Sequence, residues 1–167
     1  MKNNKGFSLV ELIIVVAVMA ILVGVIAPMY LQYVAKAKRT IDARNAEEVV
    51  RAMDKYAVFE DSNSYSGTTW TMQFFFPGSN PRGDSVYARA FRDFGGVPES
   101  KINDDLLWGV FYFDPLSDTT GIAVNLNKPP VKKVYLVKEG EFSKGYELYP
   151  NPEKYIQDFE MVPITFD

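Results

Sequence analysis

The segment from Phe7 to Ala27 limits the folding of this chain more than any other, because 21 almost entirely apolar residues follow Lys2 and Lys5. As an α-helix it is about 30 Å long at ~1.5 Å per residue, which matches the hydrocarbon core of a bilayer. A secretory signal peptide has a shorter apolar core and a cleavage site after it, whereas this sequence continues in a helical pattern beyond Pro28. The segment is therefore predicted to span a membrane.

The charges around this segment predict its orientation. Lys2 and Lys5 precede it, and no acidic residue occurs before Glu11. Since cytoplasmic flanks carry an excess of lysine and arginine, we expect the N-terminus in the cytoplasm and everything after Ala27 outside.

Glu11 is the unusual residue of the segment. An ionised acid inside a membrane helix costs about 2.5–3.5 kcal/mol at the centre of the bilayer and less near its edge. One interpretation is that Glu11 lies close enough to the interface to reach headgroups, or is protonated. The other is that a positive charge at the same depth pairs with it.

Cleavage between Gly6 and Phe7 would create such a charge. The new α-amino group of Phe7 would lie four residues from Glu11, one helical turn away. The two groups could meet within one chain or between neighbouring helices packed with an axial stagger. In the second case Glu11 would set the register of an assembly.

Composition excludes several classes of function. The chain has 167 residues, 47% of them hydrophobic, which is enough for one buried core. A net charge of −3 gives no basic excess for a nucleic-acid partner. Cysteine and histidine are absent, which removes thiolate nucleophiles, the usual zinc sites and Ser-His-Asp catalysis. We therefore expect neither an enzyme nor a cofactor.

From Met29 to Phe59 the sequence has the pattern of an amphipathic helix that continues the membrane segment. Apolar residues recur every three to five positions, and charged residues fall mostly between them and are expected to face solvent or neighbouring subunits. The apolar stripe consists of Val34, Ala37, Ile41, Ala46, Val49, Met53 and Tyr56. The charged set is Lys36, Lys38, Arg39, Asp42, Arg44, Glu47 and Glu48.

The remainder predicts an α+β fold, in which the long N-terminal helix packs on a C-terminal antiparallel β-sheet. A connection rich in turn residues begins after Phe59, and "DSVYARAFRDFGG" is typical of a short helix ending at Gly95. Strand signals follow in "LLWGVFYF", "TGIAVNL", "VKKVYLVK", "YELY" and "MVPITF". Short connections between them favour antiparallel neighbours.

Two further groups of residues have competing interpretations. Trp70 and the run Phe74–Phe76 are expected in the core, the alternative being an exposed adhesive or intersubunit patch. Asp104 with Asp105, and Asp114 with Asp118, are the acidic groupings that resemble calcium ligands. Their spacing is not that of an EF-hand loop, so turn and capping roles are favoured and no metal is predicted.

The stretch "KGFSLVELIIVVAVMAILVGVIAP" closely resembles the N-terminal signature of type IV pilins and the related pseudopilins, with a class III-type leader. The signature is a short basic leader ending in glycine, then phenylalanine, a small polar residue, aliphatic residues, and glutamate at the fifth position after the leader. The resemblance covers roughly the first 30 residues and, more loosely, the helix after them.

The resemblance implies a role for each matching residue. Lys2 and Lys5 would be the basic leader charges, and a membrane prepilin peptidase would cut after Gly6 and methylate the new amino group of Phe7. Glu11 would neutralise that group on a neighbouring subunit. The implied organisation is a leader at 1–6, an N-terminal helix at 7–59 whose first part, 7–27, spans the membrane and mediates assembly, and a globular head at 60–167.

One position departs from many relatives, which have glycine where this chain has Ala20. Here the glycine is Gly24, one turn before Pro28, and both residue types weaken a helix. A stretch unwound in the filament would therefore centre on Gly24 to Pro28. The alternative is a continuous helix with a simple kink at Pro28.

The function that the resemblance implies is a structural subunit of a type IV pilus, a homopolymer that moves from the cytoplasmic membrane to an extracellular filament for adhesion, motility or DNA uptake. Its implied partners are the peptidase, an inner-membrane platform protein and an assembly ATPase. The alternatives are a pseudopilin of a type II secretion or competence machine and, less favoured, a membrane-anchored sensor or enzyme whose N-terminus is never cut.

Overall fold

The computed structural model of the chain describes residues 7–59, 70–81, 86–103, 105–113 and 131–165. Its elements in chain order are listed here: α1 (Leu9–Phe59), β1 (Trp70–Phe75), α2 (Val86–Asp93), β2 (Leu106–Phe113), β3 (Val131–Lys138), β4 (Lys144–Tyr149), α3 (Glu153–Gln157) and β5 (Val162–Pro163). The chain divides into two compact units, Met1–Ala37 and Lys38–Asp167.

The sheet is an antiparallel meander in which sequence neighbours are also spatial neighbours, in the order β1-β2-β3-β4-β5. Phe74 of β1 pairs with Gly109 of β2, and Gly109 pairs in turn with Tyr135 of β3. The ladder between β2 and β3 has an irregularity after Phe111, and that between β3 and β4 has one at Val134. The predicted α+β fold with an antiparallel sheet is confirmed.

The core of the second unit lies between α1 and one face of this sheet. Residues of β2 and β3 that alternate along each strand pack against the last turns of α1, as a sheet with one covered face requires. The members from α1 are Ala46, Val49, Val50 and Met53; those from β2 and β3 include Leu106, Trp108, Val110, Val131, Val134 and Leu136. The remaining members are Phe75 of β1, Ala90 and Phe91 of α2, Val97, Leu148 of β4 and Tyr155 of α3.

The buried face of α1 differs from the predicted apolar stripe at several positions. Ala37 of the stripe is exposed, and Val50, which the stripe did not include, is buried. Ile41 is exposed, whereas Asp42 is fully buried together with Ala43. The buried positions 42, 43, 46, 49, 50 and 53 follow the three- and four-residue spacing of one helix face. Periodicity correctly placed Ala46, Val49 and Met53 there, but an apolar side chain was expected where a carboxylate lies.

The aromatic run after β1 is divided between core and surface. Phe75 is buried and lies 4.9 Å from Phe91, measured between ring centroids. Phe76 is exposed, and the half-buried Phe74 packs on the exposed Phe142 with ring centroids 4.6 Å apart. The expectation of a core run is therefore right for Phe75 and wrong for Phe76.

Several predicted elements can be compared directly with the structure. "LLWGVFYF" and "VKKVYLVK" are β2 and β3, "YELY" lies in β4, and "MVPITF" contributes the two residues of β5. The predicted short helix is α2, and it ends where Gly95 and Gly96 donate hydrogen bonds to carbonyls of its last turn. The segment "TGIAVNL" lies outside the described residues.

Candidate assembly site

At the first turn of α1 the Glu11 side chain forms a hydrogen bond with the backbone of Ser8. The helix begins at Leu9, so Ser8 is the residue just before it and Glu11 lies in its first turn. The backbone N–H of Ser8 donates a hydrogen bond of 2.9 Å to Oε2 of Glu11. A glutamate that reaches back in this way satisfies a donor that has no partner within the helix, and its negative charge suits the positive end of the helix dipole.

Phe7 stands just outside this turn and is 84% exposed. Its neighbours Lys2, Lys5 and Gly6 lie outside the described residues, so the structure adds nothing to the prediction for the leader. Phe7 and Glu11 are thus at the same end of α1, and the Glu11 carboxylate already has a hydrogen bond within its own chain.

The apolar part of α1 has no burial within its own unit. The helix is long and apolar enough to cross a membrane, and none of its most apolar 18-residue window is buried. Large apolar side chains are exposed in every direction around it, among them Leu9, Ile13, Val16, Ile21 and Leu22. A helix that is apolar on all sides requires lipid or other helices around it.

Gly24 and Pro28 both lie inside α1, which is helical on either side of them. An ideal Cβ built on Gly24 would meet no atom within 4 Å. No close contact within this chain therefore requires glycine at this position. The remaining predicted positions, Asp114 and Asp118, lie outside the described residues, as does Asp104 of the other acidic pair.

A second site that sequence reasoning missed is the buried carboxylate of Asp42. Three donors converge on it: Oγ of Ser100 at 3.0 Å, the backbone N–H of Lys101 at 2.8 Å and the hydroxyl of Tyr155 at 2.8 Å. Burial raises the pKa of the Asp42 carboxyl above its usual range, and the three hydrogen bonds oppose that rise. Burial and the Asp42 charge likewise raise the pKa of the Tyr155 hydroxyl.

Arg39, one turn before Asp42, contacts the same C-terminal segment. Its Nη1 donates a hydrogen bond of 3.3 Å to the carbonyl of Ile156. Its guanidinium carbon lies 4.4 Å from the centroid of the Phe159 ring, and that ring stacks on Tyr146 at 4.6 Å. Phe159 has a φ of 55°, a left-handed conformation that is rare for a bulky side chain. We call Arg39, Asp42, Tyr155 and Phe159 the C-terminal clamp.

The clamp is an anchoring device, since its two charged residues lie on α1 and their partners come from far along the chain. It joins α1 to the loop at Ser100 and to the segment that follows β4. Within the described residues, no group of three or more acidic side chains comes together that could hold a metal ion.

Comparisons with known proteins agree with these features. Residues 1–27 match the family described as the prokaryotic N-terminal methylation motif. Over 66 residues the chain is 38% identical to the type IV wide pilus major component PilA4 of Thermus thermophilus, a match that covers 40% of this chain and 49% of that protein. The chain thus matches about half the length of this relative. No solved structure matches this chain.

The predicted resemblance to type IV pilins is confirmed by both matches. The N-terminal segment matches the methylation-motif family, and the fold is a pilin-like arrangement of a long helix and an antiparallel sheet.

Proposed function

We propose that this chain is a structural subunit of a type IV pilus, made as a precursor and polymerised through its N-terminal helix. The observation that carries the proposal is the exposed apolar part of α1, which begins with the Ser8–Glu11 turn and has no packing partner inside its own unit. Such a surface suits lipid before assembly and neighbouring copies of the same helix afterwards.

In this proposal residues 1–6 are the leader, 7–59 the helix and 60–167 the head. A membrane peptidase recognises Lys2, Lys5 and Gly6, cuts before Phe7 and methylates its amino group. Glu11 then exchanges its hydrogen bond with Ser8 for the charged amino group of a neighbouring Phe7, and Gly24 and Pro28 supply local flexibility. The sequence has no Gly-rich phosphate loop, so a separate cytoplasmic ATPase supplies the energy for assembly. A platform protein in the membrane positions the subunits.

The test is mass spectrometry of material sheared from the surface of the source cells. We expect the protein there without residues 1–6 and with one methyl group on Phe7. The same processed form found only in the membrane would replace the pilus with a pseudopilus. A working form that keeps Met1–Gly6 would overturn both and favour an anchored sensor or enzyme.

A further inference from the structure

Two tyrosines lie at the outer end of the apolar part of α1, where its uncharged stretch is longer than a bilayer core. No charged residue occurs between Glu11 and Lys36, and the 24 residues between them form about 36 Å of helix. A hydrocarbon core is ~30 Å thick, so this stretch has a slack of about 6 Å, or roughly one helical turn. The charges alone therefore leave the depth of the helix undetermined by that amount.

Tyr30 and Tyr33 fall within this slack. They are three positions apart, hence on one side of the helix, and are 63% and 72% exposed. A tyrosine ring is apolar while its hydroxyl needs a polar partner, and for this reason tyrosine is enriched where hydrocarbon meets headgroups. The preference of tyrosine for the interface can therefore fix the depth of α1 in the bilayer, which the charged residues alone do not determine.

We propose that Tyr30 and Tyr33 anchor the helix in the headgroup layer of the outer leaflet and so hold Glu11 at the cytoplasmic boundary of the bilayer. Nineteen positions separate Glu11 from Tyr30, about 28 Å along the helix axis, which is close to one hydrocarbon thickness. With Tyr30 at one boundary, Glu11 therefore reaches the other.

This depth explains how the subunit tolerates its acid. At the boundary the carboxylate contacts headgroups and water while it accepts the Ser8 N–H, so it avoids the energy of a charge at the bilayer centre. Phe7, which precedes the start of α1, then lies on the cytoplasmic side of Glu11. The inference rests on the membrane insertion in the proposed function and is independent of cleavage and polymerisation.

The experiment uses the full chain in vesicles of phosphatidylcholine with a minority of phosphatidylglycerol. Because the chain has no cysteine, a single introduced one carries a spin label without background. Labels are placed at Leu12→Cys, Ile21→Cys and Leu31→Cys, all at exposed positions of α1. Depth is measured by electron paramagnetic resonance, from accessibility to oxygen and to a water-soluble nickel chelate. We expect the labels at 12 and 31 to be shallow and the label at 21 to be deepest.

The decisive variants change both tyrosines. Tyr30→Leu with Tyr33→Leu keeps apolar bulk but removes the interfacial preference, so the label at 31 should sink by up to about 6 Å, the slack of the stretch. Tyr30→Trp with Tyr33→Trp keeps that preference and should leave the depth unchanged.

Two results would overturn the proposal while insertion stands: an unchanged depth at position 31 in the leucine variant, or a deep label at position 12 in the native background. A native chain that fails to float with the vesicles would instead overturn membrane insertion itself, and the anchoring role with it.

Discussion

The hydroxyl of Tyr155 donates a 2.8 Å hydrogen bond to the carboxylate of Asp42, which ties the C-terminal helix α3 to α1 across 113 positions of sequence. Both side chains are fully buried. Ser100 and Lys101 donate to the same carboxylate, so one acceptor on α1 satisfies three donors from two other segments. Asp42 thus adds a polar link, within an otherwise apolar buried face, to the packing of α1 against the sheet.

Replacement of Asp42 by leucine should strongly destabilise the head. The substitution leaves the Ser100, Lys101 and Tyr155 donors buried without an acceptor, and we expect a loss of about 2–4 kcal/mol in the free energy of unfolding. The measurement is urea unfolding of the full chain in detergent micelles, followed by tryptophan fluorescence, since Trp108 is fully buried. Glu48→Leu, an exposed acid on the same helix, is the control, and equal losses in the two variants would contradict the prediction.

The Asp42–Tyr155 contact should show coupling in a double-mutant cycle. For Asp42→Asn and Tyr155→Phe, separately and together, we expect a coupling energy of about 1–2 kcal/mol, because the two groups share one buried hydrogen bond. A second cycle pairs Asp42→Asn with Glu141→Gln, in the exposed turn where Glu141 bonds Lys138. Coupling of the same size in both cycles would mean that the Asp42–Tyr155 cycle does not measure the hydrogen bond between these two residues.

Acid should favour the native chain over its Asp42→Asn variant. Because burial raises the folded-state pKa of Asp42 above 3.8, the folded state binds a proton more readily than the unfolded state. The stability that this group contributes is therefore fully present below about pH 3.8 and is lost as pH rises through the folded pKa. The difference in unfolding free energy, native minus variant, should fall as the pH rises from below 3.8 through the folded-state pKa of Asp42. If this difference instead rises with pH, the pKa of Asp42 is lowered by folding and the prediction is wrong.

Removal of the Arg39 guanidinium should loosen the C-terminal segment. Arg39→Met keeps the apolar stem but loses the contact with the Phe159 ring and the hydrogen bond to Ile156, for a cost of about 1–2 kcal/mol. Amide hydrogen exchange should speed up at Asp158 and Glu160, whose N–H groups bond the carbonyl of Lys154. Arg51→Met, which removes an exposed ion pair with Glu47, should leave that exchange unchanged.

Variants of Glu11 should separate its capping role from its charge. Glu11→Gln keeps an acceptor for the Ser8 N–H, so we expect normal membrane insertion. It cannot form an ion pair with a neighbouring Phe7 amino group, however, and loss of about 1.5–3 kcal/mol per subunit should reduce filament yield at least tenfold, an order-of-magnitude estimate. The measurement is the amount of protein in sheared filaments relative to the membrane fraction.

Two further variants complete the comparison at this turn. Ser8→Ala keeps the backbone donor and should assemble normally, whereas Glu11→Leu loses both the cap and the charge. Filaments at native yield from Glu11→Gln would show that Glu11 acts only as a helix cap.

The regular strands of the sheet were predictable because their signals are local. In β2 and β3 the sequence combines β-branched and aromatic residues in runs of eight, and both predicted bounds are confirmed. Strand β1 was missed because its aromatic residues were assigned to the core without a strand to hold them. Helix α3 has five residues, too few for a helical period to be detected.

The clamp was not predictable, because the residues that bind Asp42 lie far from it in the sequence. Nothing near Asp42 in sequence indicates that Ser100 and Tyr155 will provide donors for a buried carboxylate, so solvent was the natural expectation. The Ser8–Glu11 turn is different: a serine followed three residues later by glutamate, before an apolar run, is a known signal for the start of a helix. This signal was present in the sequence, although Glu11 was considered only as an acid within an apolar segment.

The long sequence separation within the clamp also has a consequence for the order in which the protein is made. A ribosome delivers the chain from its N-terminus, so α1 is complete long before Tyr155 and Phe159 have been synthesised. Until they arrive, Asp42 lacks its Tyr155 partner and the buried cluster that includes Tyr155 is incomplete. A chain that stops before Tyr155 would therefore contain all of α1 but lack the hydroxyl that donates to Asp42.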